Sequence, residues 1–161
     1  MRLVPLLMLA LIALPRLSAA QQEIDQSKIV ECIRVAEKRA DPEAAARSCA
    51  YKQADLCQMK IMTDATSPVG RPGARAICAG AELAVWQTLM TAAYQVASGV
   101  QGDPVRPAFI KAHEAWQAFV DAECDYERVL TGQGTDAASA SAWCAIGHVA
   151  SRYFLYRQLA R

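Results

Sequence analysis

An excess of charge of one sign is what this sequence most clearly lacks. Its 17 Lys and Arg residues are balanced by 16 Asp and Glu residues, which leaves a net charge of +1. The basic residues are dispersed, and they form no patch interleaved with aromatic residues. A protein that binds nucleic acid or anionic lipid mainly through charge needs such an excess. The composition therefore argues against both kinds of partner.

The short motifs of common catalytic and cofactor sites are missing too. There is no Cys-x-x-Cys pair and no glycine-rich phosphate loop, and no Ser–His–acid arrangement stands out. His113-Glu114 is not followed by the second His of a zinc-protease helix, and the segment from Cys144 to His148 lacks the first Cys of a haem-attachment motif. We therefore predict no metal, no cofactor and no enzymatic activity.

The only long apolar run lies at the N-terminus. Arg2 precedes an uncharged run from Leu3 to Leu14, and Ser18-Ala19-Ala20 offers small residues for cleavage. These features predict a signal peptide over residues 1–20. The run is shorter than the ~20 residues of a membrane span, and later apolar segments are interrupted by charges. Residues 21–161 are thus expected to form a single exported domain, periplasmic or secreted, with no stable membrane span.

Six cysteines, all beyond residue 20, predict disulfide bonds in an exported chain. Cys49 and Cys57 lie on one predicted helix at a separation of ~12 Å, which is too far for a bond. A sequential pairing is favoured because each pair is then centred on a turn signal, although other pairings stay formally open. The favoured pairs are Cys32–Cys49, Cys57–Cys78 and Cys124–Cys144.

Apolar residues recur at spacings of three and four, which predicts helices, and no alternating strand pattern is found. The expected fold is an all-α, disulfide-stapled bundle of about five helices that ends in an antiparallel helical hairpin. Asp41-Pro42-Glu43 is a strong helix start. Five helices are predicted. The first three are Gln21–Arg39, Ala44 to about Met62, and Ala74–Ser98. The fourth can begin at Asp103-Pro104 or at Arg106-Pro107, and the fifth runs from Thr135 or Asp136 nearly to the end.

The loop from Thr63 to Gly73 is rich in Pro and Gly. Its expected exposed tip is the segment 70–73, so Arg71 and Pro72 are candidate binding residues. The Cys57–Cys78 bond would tether this loop at both ends.

The predicted hairpin brings several polar side chains together. Cys124 and Cys144 are equidistant from Gly134 and should face each other. The same register suggests that Asp121 pairs with His148 or Arg152, and that Arg152 lies over Trp116. We favour a polar cluster that locks the hairpin. The alternative is an acid–base pair of His148 with Asp121 or Glu123. His113 is expected at the boundary between core and solvent.

The chain from about Cys78 to Leu159 resembles the LprI-like lysozyme-inhibitor family. The residues that carry the resemblance are Glu82, Trp86 and Tyr94, then Ala112, Ala115, Trp116, Phe119, Asp121 and Cys124, then Gly132 and Gly134, and finally Cys144, Arg152 and Leu155. The chain departs from the family pattern at Gln87, Thr91, His113 and Val120.

The resemblance implies an exported helical protein without catalytic residues. It also implies a possible role as an inhibitor of lysozyme-type glycosidases, which would act by blocking the cleft that holds their carboxylate pair. The alternative is a structural or protein-interaction module of the cell envelope. The expected partner is a lysozyme or another envelope protein.

Overall fold

Six helices make up most of the computed structural model, which describes residues 24–65 and 70–161. The predicted signal peptide, residues 1–20, lies outside the described residues. In chain order the helices are α1 (Gln26–Ala36), α2 (Pro42–Cys49), α3 (Lys52–Thr63), α4 (Arg71–Val100), α5 (Val105–Thr131) and α6 (Thr135–Leu159). The all-α prediction is confirmed for the described residues.

Local signals start and end these helices. Asp25 caps α1 by accepting a hydrogen bond from the N–H of Ser27, and Asp41 caps α2 by accepting one from the N–H of Glu43. The turn between α5 and α6 needs Gly132 and Gly134, whose φ angles are +105° and +80°. The predicted hairpin turn is therefore found where expected.

The second predicted helix is wrong in one respect, because it is divided into α2 and α3. Tyr51 lies between them with φ of +72°, a left-handed conformation that is uncommon for a residue with a side chain. The third predicted helix also begins earlier, at Arg71 instead of Ala74. Pro72 is compatible with this start because the first turn of a helix does not use its N–H groups.

Helix α4 lies at the centre of the bundle and packs mainly against α6. Helix α5 packs on α6, α3 packs on α4, α2 packs on α6, and α1 packs on α2. The indole of Trp86 is fully buried and meets the rings of Tyr153 and Phe154, at centroid distances of 5.9 and 6.3 Å. Burying a large apolar side chain contributes roughly 1.5–3 kcal/mol, so this cluster is a main source of stability.

Three disulfides join successive helix pairs, and the sequential pairing is confirmed. The Cα–Cα distances are 5.7 Å for Cys32–Cys49, 5.7 Å for Cys57–Cys78 and 5.5 Å for Cys124–Cys144. The bonds link α1 to α2, α3 to α4, and α5 to α6. Three disulfides fit an oxidising compartment.

Helix α4 is long and apolar enough, over Gly73–Val100, to cross a membrane by length and composition, with a mean hydropathy of 1.2. Length and composition are weak grounds for a span, because a helix at the centre of a packed bundle meets the same criteria. Here the helix carries the buried Glu82 and is bonded to α3 through Cys78. The absence of a membrane span stays a prediction.

Candidate functional site

An open groove of about 1280 Å³ runs along α6, with α2 and the start of α3 on one side and α5 on the other. Aromatic rings, guanidinium groups and carboxylates all line it. They include Tyr51, Trp116 and Trp143, the basic residues Arg47, Arg75, His148 and Arg152, and the acidic residues Asp41, Glu43, Glu123, Glu127 and Asp136. This mixture suits the recognition of a polar surface with exposed charges of both signs.

One wall of the groove is positioned by Glu82, a fully buried residue of α4. Its carboxylate accepts hydrogen bonds from the N–H of Tyr51 at 2.7 Å, the N–H of Ala54 at 2.6 Å and Nε1 of Trp86 at 2.9 Å. Tyr51 is the residue before α3 and Ala54 lies in its first turn, so Glu82 caps that helix from a distance in the chain. Burial raises the pKa of Glu82, and the three N–H donors act in the opposite direction.

This capping explains the break between α2 and α3. The N–H of Tyr51 is turned towards Glu82, 31 residues further along the chain. The left-handed conformation of Tyr51 is maintained by that contact, because its own side chain does not cap the helix. No local sequence signal marks the break, which is why the periodicity predicted one continuous helix.

Tyr51 and Trp143 form a stacked pair in the groove. Their ring centroids are 4.9 Å apart and the ring planes differ by 11°. Arg75, near the start of α4, lies over the Trp143 ring at 5.3 Å. A guanidinium over an indole contributes roughly 0.5–2 kcal/mol, depending on exposure. Sequence reasoning missed this trio, because its members come from three helices that are distant in the chain.

Gly147 provides the space that Tyr51 occupies. A Cβ atom built at this glycine would overlap the Tyr51 hydroxyl, so any side chain at position 147 would displace the ring from its stack on Trp143. Burial, followed by the charge of Glu82, raises the pKa of Tyr51. The ring therefore presents a neutral hydroxyl towards α6.

Arg152 lies over the ring of Trp116, at 4.5 Å from its centroid, which confirms that part of the hairpin hypothesis. It also lies 5.6 Å from the ring centroid of Tyr156. The expected ion pair of Asp121 with His148 or Arg152 was wrong. Asp121 is exposed, and among the described side chains the carboxylate that meets His148 is Glu123.

Nε2 of His148 lies 2.9 Å from Oε2 of Glu123, but the two groups are not aligned for a hydrogen bond. Both side chains are partly exposed, at 31% and 41%. His148 also lies within possible metal-coordination range of the sulfurs of Cys124 and Cys144. Those sulfurs are bonded to each other, so they are unavailable as thiolate ligands while the disulfide is intact.

His113 lies in the core and not at its boundary, which corrects the expectation from sequence. Only 8% of the residue is exposed, and its ring stacks on Tyr94 at a centroid distance of 4.0 Å. Nδ1 of His113 lies 2.8 Å from the hydroxyl of Tyr156. Phe109 and Trp116 belong to the same aromatic cluster. In the sequence, Phe109, His113, Trp116 and Val120 follow one another at spacings of four, three and four residues, which places His113 on the same face of α5 as these apolar residues. That spacing is the signal that could have predicted its burial.

His113 is expected to make the protein less stable in acid. Burial, followed by the charge of Arg152, lowers the pKa of His113 in the folded state. The unfolded chain therefore takes up this proton first, starting near pH 6.5. Stability from the neutral ring is complete above that pH. It is lost as pH falls towards the folded-state pKa, by at most about 1.4 kcal/mol per pH unit.

Urea unfolding of the wild type and of His113→Gln, measured across pH 7.5 to 4, checks this expectation. The unfolding free energy of the wild type, measured relative to that of the variant, should fall as pH falls. The wild type loses stability because its unfolded chain binds a proton at His113 before the folded protein does, whereas glutamine binds none. The other groups near this ring, Glu114, Arg152 and Tyr156, are present in both proteins and cancel in the difference. A constant difference across the range would contradict the prediction. Gln117→Ala, an exposed change on the same helix, is the control.

The candidate binding residues Arg71 and Pro72 are in the first turn of α4, and Gly70 is the residue before the helix. The expectation that residues 70–73 form the tip of a loop was therefore wrong. Residues 66–69 lie outside the described part of the chain. Whether Arg71 and Pro72 bind a partner stays a prediction.

Several other residues that carry the family resemblance lie in the core or line the groove. Glu82 and Trp86 are buried together, and Tyr94 stacks on Phe109 at 5.6 Å. Leu155 joins Trp116 and Arg152 in lining the groove. Most of these residues therefore support the fold or the walls of the groove.

A family model described as lysozyme inhibitor LprI matches residues 63–154, more than half of the chain. The matched region spans α4 and α5 and most of α6. It includes Glu82, Trp116 and the Cys124–Cys144 bond. No curated protein and no solved structure matches the chain.

Proposed function

Because the chain belongs to the lysozyme inhibitor LprI family, we propose that it is an exported binding protein that inhibits lysozyme-type glycosidases. The family match over residues 63–154 carries this proposal. The three disulfides support export, since such bonds persist in the periplasm or outside the cell. A signal peptide over residues 1–20 would supply the route, and cleavage after Ala20 would release a single domain.

The proposed mode of inhibition is occlusion of the catalytic cleft. Such glycosidases hold a pair of carboxylates on either side of the bond they cleave. A basic side chain presented by a rigid segment would enter that cleft with little loss of conformational entropy. The start of α4 fits this role, because the Cys57–Cys78 bond joins α4 to α3 about two helical turns after Arg71. Arg71, at the start of α4, is the basic residue proposed to make the contact.

The inhibitor hypothesis is tested by titrating lysozyme activity with the mature protein. We expect stoichiometric loss of activity for the wild type, and an inhibition constant raised about tenfold or more by Arg71→Ala. Arg34→Ala, at the end of α1, is the matched control and should inhibit like the wild type. Absence of inhibition at micromolar excess would remove the proposal for that lysozyme. Equal inhibition constants for the wild type and Arg71→Ala would mean that the start of α4 does not contact the lysozyme.

A second candidate function is a protein-interaction module of the cell envelope that inhibits no enzyme. The groove along α6 favours it, because Tyr51, Trp143 and Arg75 form a pre-organised surface there. This function would be favoured if the wild type captured an envelope protein other than a lysozyme and Gly147→Leu, which displaces the Tyr51 ring, did not. We propose no catalytic role for the contact between His148 and Glu123.

A further inference from the structure

Helix α5 has a continuous apolar stripe on its outward face, which we call the outer seam. Its members recur at alternating spacings of three and four over the whole helix: Val105, Ala108, Ala112, Ala115, Phe119, Ala122, Tyr126 and Val129. All eight are exposed, and the four large ones are more than half exposed, at 53% for Val105, 55% for Phe119, 60% for Tyr126 and 60% for Val129.

Most of this pattern is distinct from the face of α5 that packs in the bundle, and only the ring of Phe119 among the four large residues also meets a ring of α6, that of His148 at a centroid distance of 5.8 Å. The buried residues of α5 are His113, Val120 and Cys124, which lie on the opposite side of the helix. Single exposed apolar residues are common on protein surfaces. A stripe with heptad spacing along nearly all of a 27-residue helix is typical of a helix that packs against a second helix.

We propose that the outer seam is an interface with a second copy of this chain, in which two α5 helices pack antiparallel about a two-fold axis. A two-fold interface must be complementary to itself, and the order of large and small residues in the seam satisfies this. With the two-fold axis crossing the seam at the level of Gln117 along α5, Tyr126 lies opposite Ala108 of the second copy. Phe119 then lies opposite Ala115. The remaining layers pair Val105 with Val129 and Ala112 with Ala122.

Charges beside the seam favour the antiparallel orientation. In the same register, Lys111 of each copy lies beside Asp125 of the other, which gives two such contacts per dimer by symmetry. The carboxylate of Asp125 is already paired with Arg128 of its own helix at 2.7 Å, so Lys111 would join that pair. A parallel arrangement in register would leave both charges without an opposite charge across the seam, since Lys111 would face Trp116 and Asp125 would face Leu130 of the other copy. Exposed ion pairs contribute little affinity, but they select the orientation of paired helices.

The available area suits a dimer of modest affinity. Phe and Tyr side chains bury about 150–250 Å² when fully enclosed, so the exposed parts of Phe119 and Tyr126 from two copies supply ~400 Å². The exposed valines, Leu130 and the alanines add a comparable or larger amount. The sum lies below the ~1,200 Å² at the lower end of stable specific interfaces, in the range of weak or transient association.

The first test measures the mass of the full mature protein by sedimentation across micromolar to near-millimolar concentrations. We expect a monomer–dimer equilibrium, and Tyr126→Asp should weaken it at least about tenfold because it places a charge in the seam. Met59→Asp is the matched control, since Met59 is 55% exposed but lies on α3. A monomer at every concentration, or a dimer unchanged by Tyr126→Asp, would overturn the proposal.

The second test needs no substitution. A carbodiimide joins amines to carboxylates in direct contact, and it should link Lys111 to Asp125 between a ¹⁵N-labelled copy and an unlabelled one. Within a single α5 these residues are ~21 Å apart along the helix, too far for such a link. Dimers that form without this cross-link would rule out the antiparallel seam. Inhibition of lysozyme does not depend on this interface, so either proposal can fail without the other.

Discussion

Replacing Glu82 with alanine is expected to lower the free energy of unfolding by about 3 kcal/mol or more. The substitution leaves three N–H groups, from Tyr51, Ala54 and Trp86, without their acceptor. Each buried donor without a partner costs about 1–3 kcal/mol, and the losses of neighbouring groups are not additive. The cavity left by the side chain adds to the effect. Urea unfolding monitored by circular dichroism measures the change.

The identity of the acceptor is tested with Glu82→Gln. Glutamine keeps the shape of the side chain and one acceptor oxygen, but its NH₂ group replaces the other oxygen and would face an N–H donor of the site. The unfolding free energy of Glu82→Gln should be lower than that of the wild type by about 1–2 kcal/mol, a smaller loss than that of Glu82→Ala. Gln87→Ala, an exposed change on the same helix, should alter stability by less than about 0.5 kcal/mol. A loss below about 1 kcal/mol for Glu82→Ala would contradict the capping role.

The Glu82 prediction also has a readout in the groove. When the N–H of Tyr51 loses its acceptor, the left-handed conformation of Tyr51 loses its support and the stack on Trp143 should loosen. Near-ultraviolet circular dichroism of the folded variant reports this change, because it detects aromatic rings in fixed asymmetric surroundings. An unchanged aromatic spectrum would mean that the stack forms independently of Glu82.

Removing the Cys124–Cys144 bond, by replacing both cysteines with serine, is expected to lower the unfolding free energy by about 3 kcal/mol. The bond closes a loop of 20 residues. In the entropic description, closing such a loop raises the free energy of the unfolded chain by about this amount. The bond also joins α5 to α6 beside His148, on the wall of the groove. Its loss should therefore loosen the groove as well as destabilise the fold.

The Cys32–Cys49 bond is the matched control, because its loop of 17 residues predicts nearly the same entropic effect. Both double serine variants should lose similar stability. Only the variant in Cys124 and Cys144 should show faster amide hydrogen exchange across the α5–α6 turn under native conditions. Equal exchange at that turn in the two variants would mean that the glycine turn and the packing of α5 on α6 suffice to hold it.

The helices and the disulfides could be predicted from sequence because their determinants are local. Asp41 caps α2 and Pro42 is its first residue, so that start depends only on neighbouring residues. The spacing of Cys124 and Cys144 around Gly134 places them opposite each other in an antiparallel hairpin. Arg152 over Trp116 followed from the same register. The ion pair did not follow, because register places residues on a level but leaves open which of two neighbouring acids, Asp121 or Glu123, faces His148.

The sequence by itself determined an all-helical, disulfide-bonded chain of the LprI family. Capping residues and apolar periodicity act over short stretches, and each disulfide joins helices that follow each other in the chain, so their pattern can be recognised without knowledge of distant contacts. The tertiary structure alone decided where α2 ends and α3 begins, because Glu82 captures backbone N–H groups from a segment 31 residues away. It likewise decided the groove, where Tyr51, Arg75 and Trp143 meet. Packing brings these rings and charges together, and no local pattern encodes that meeting.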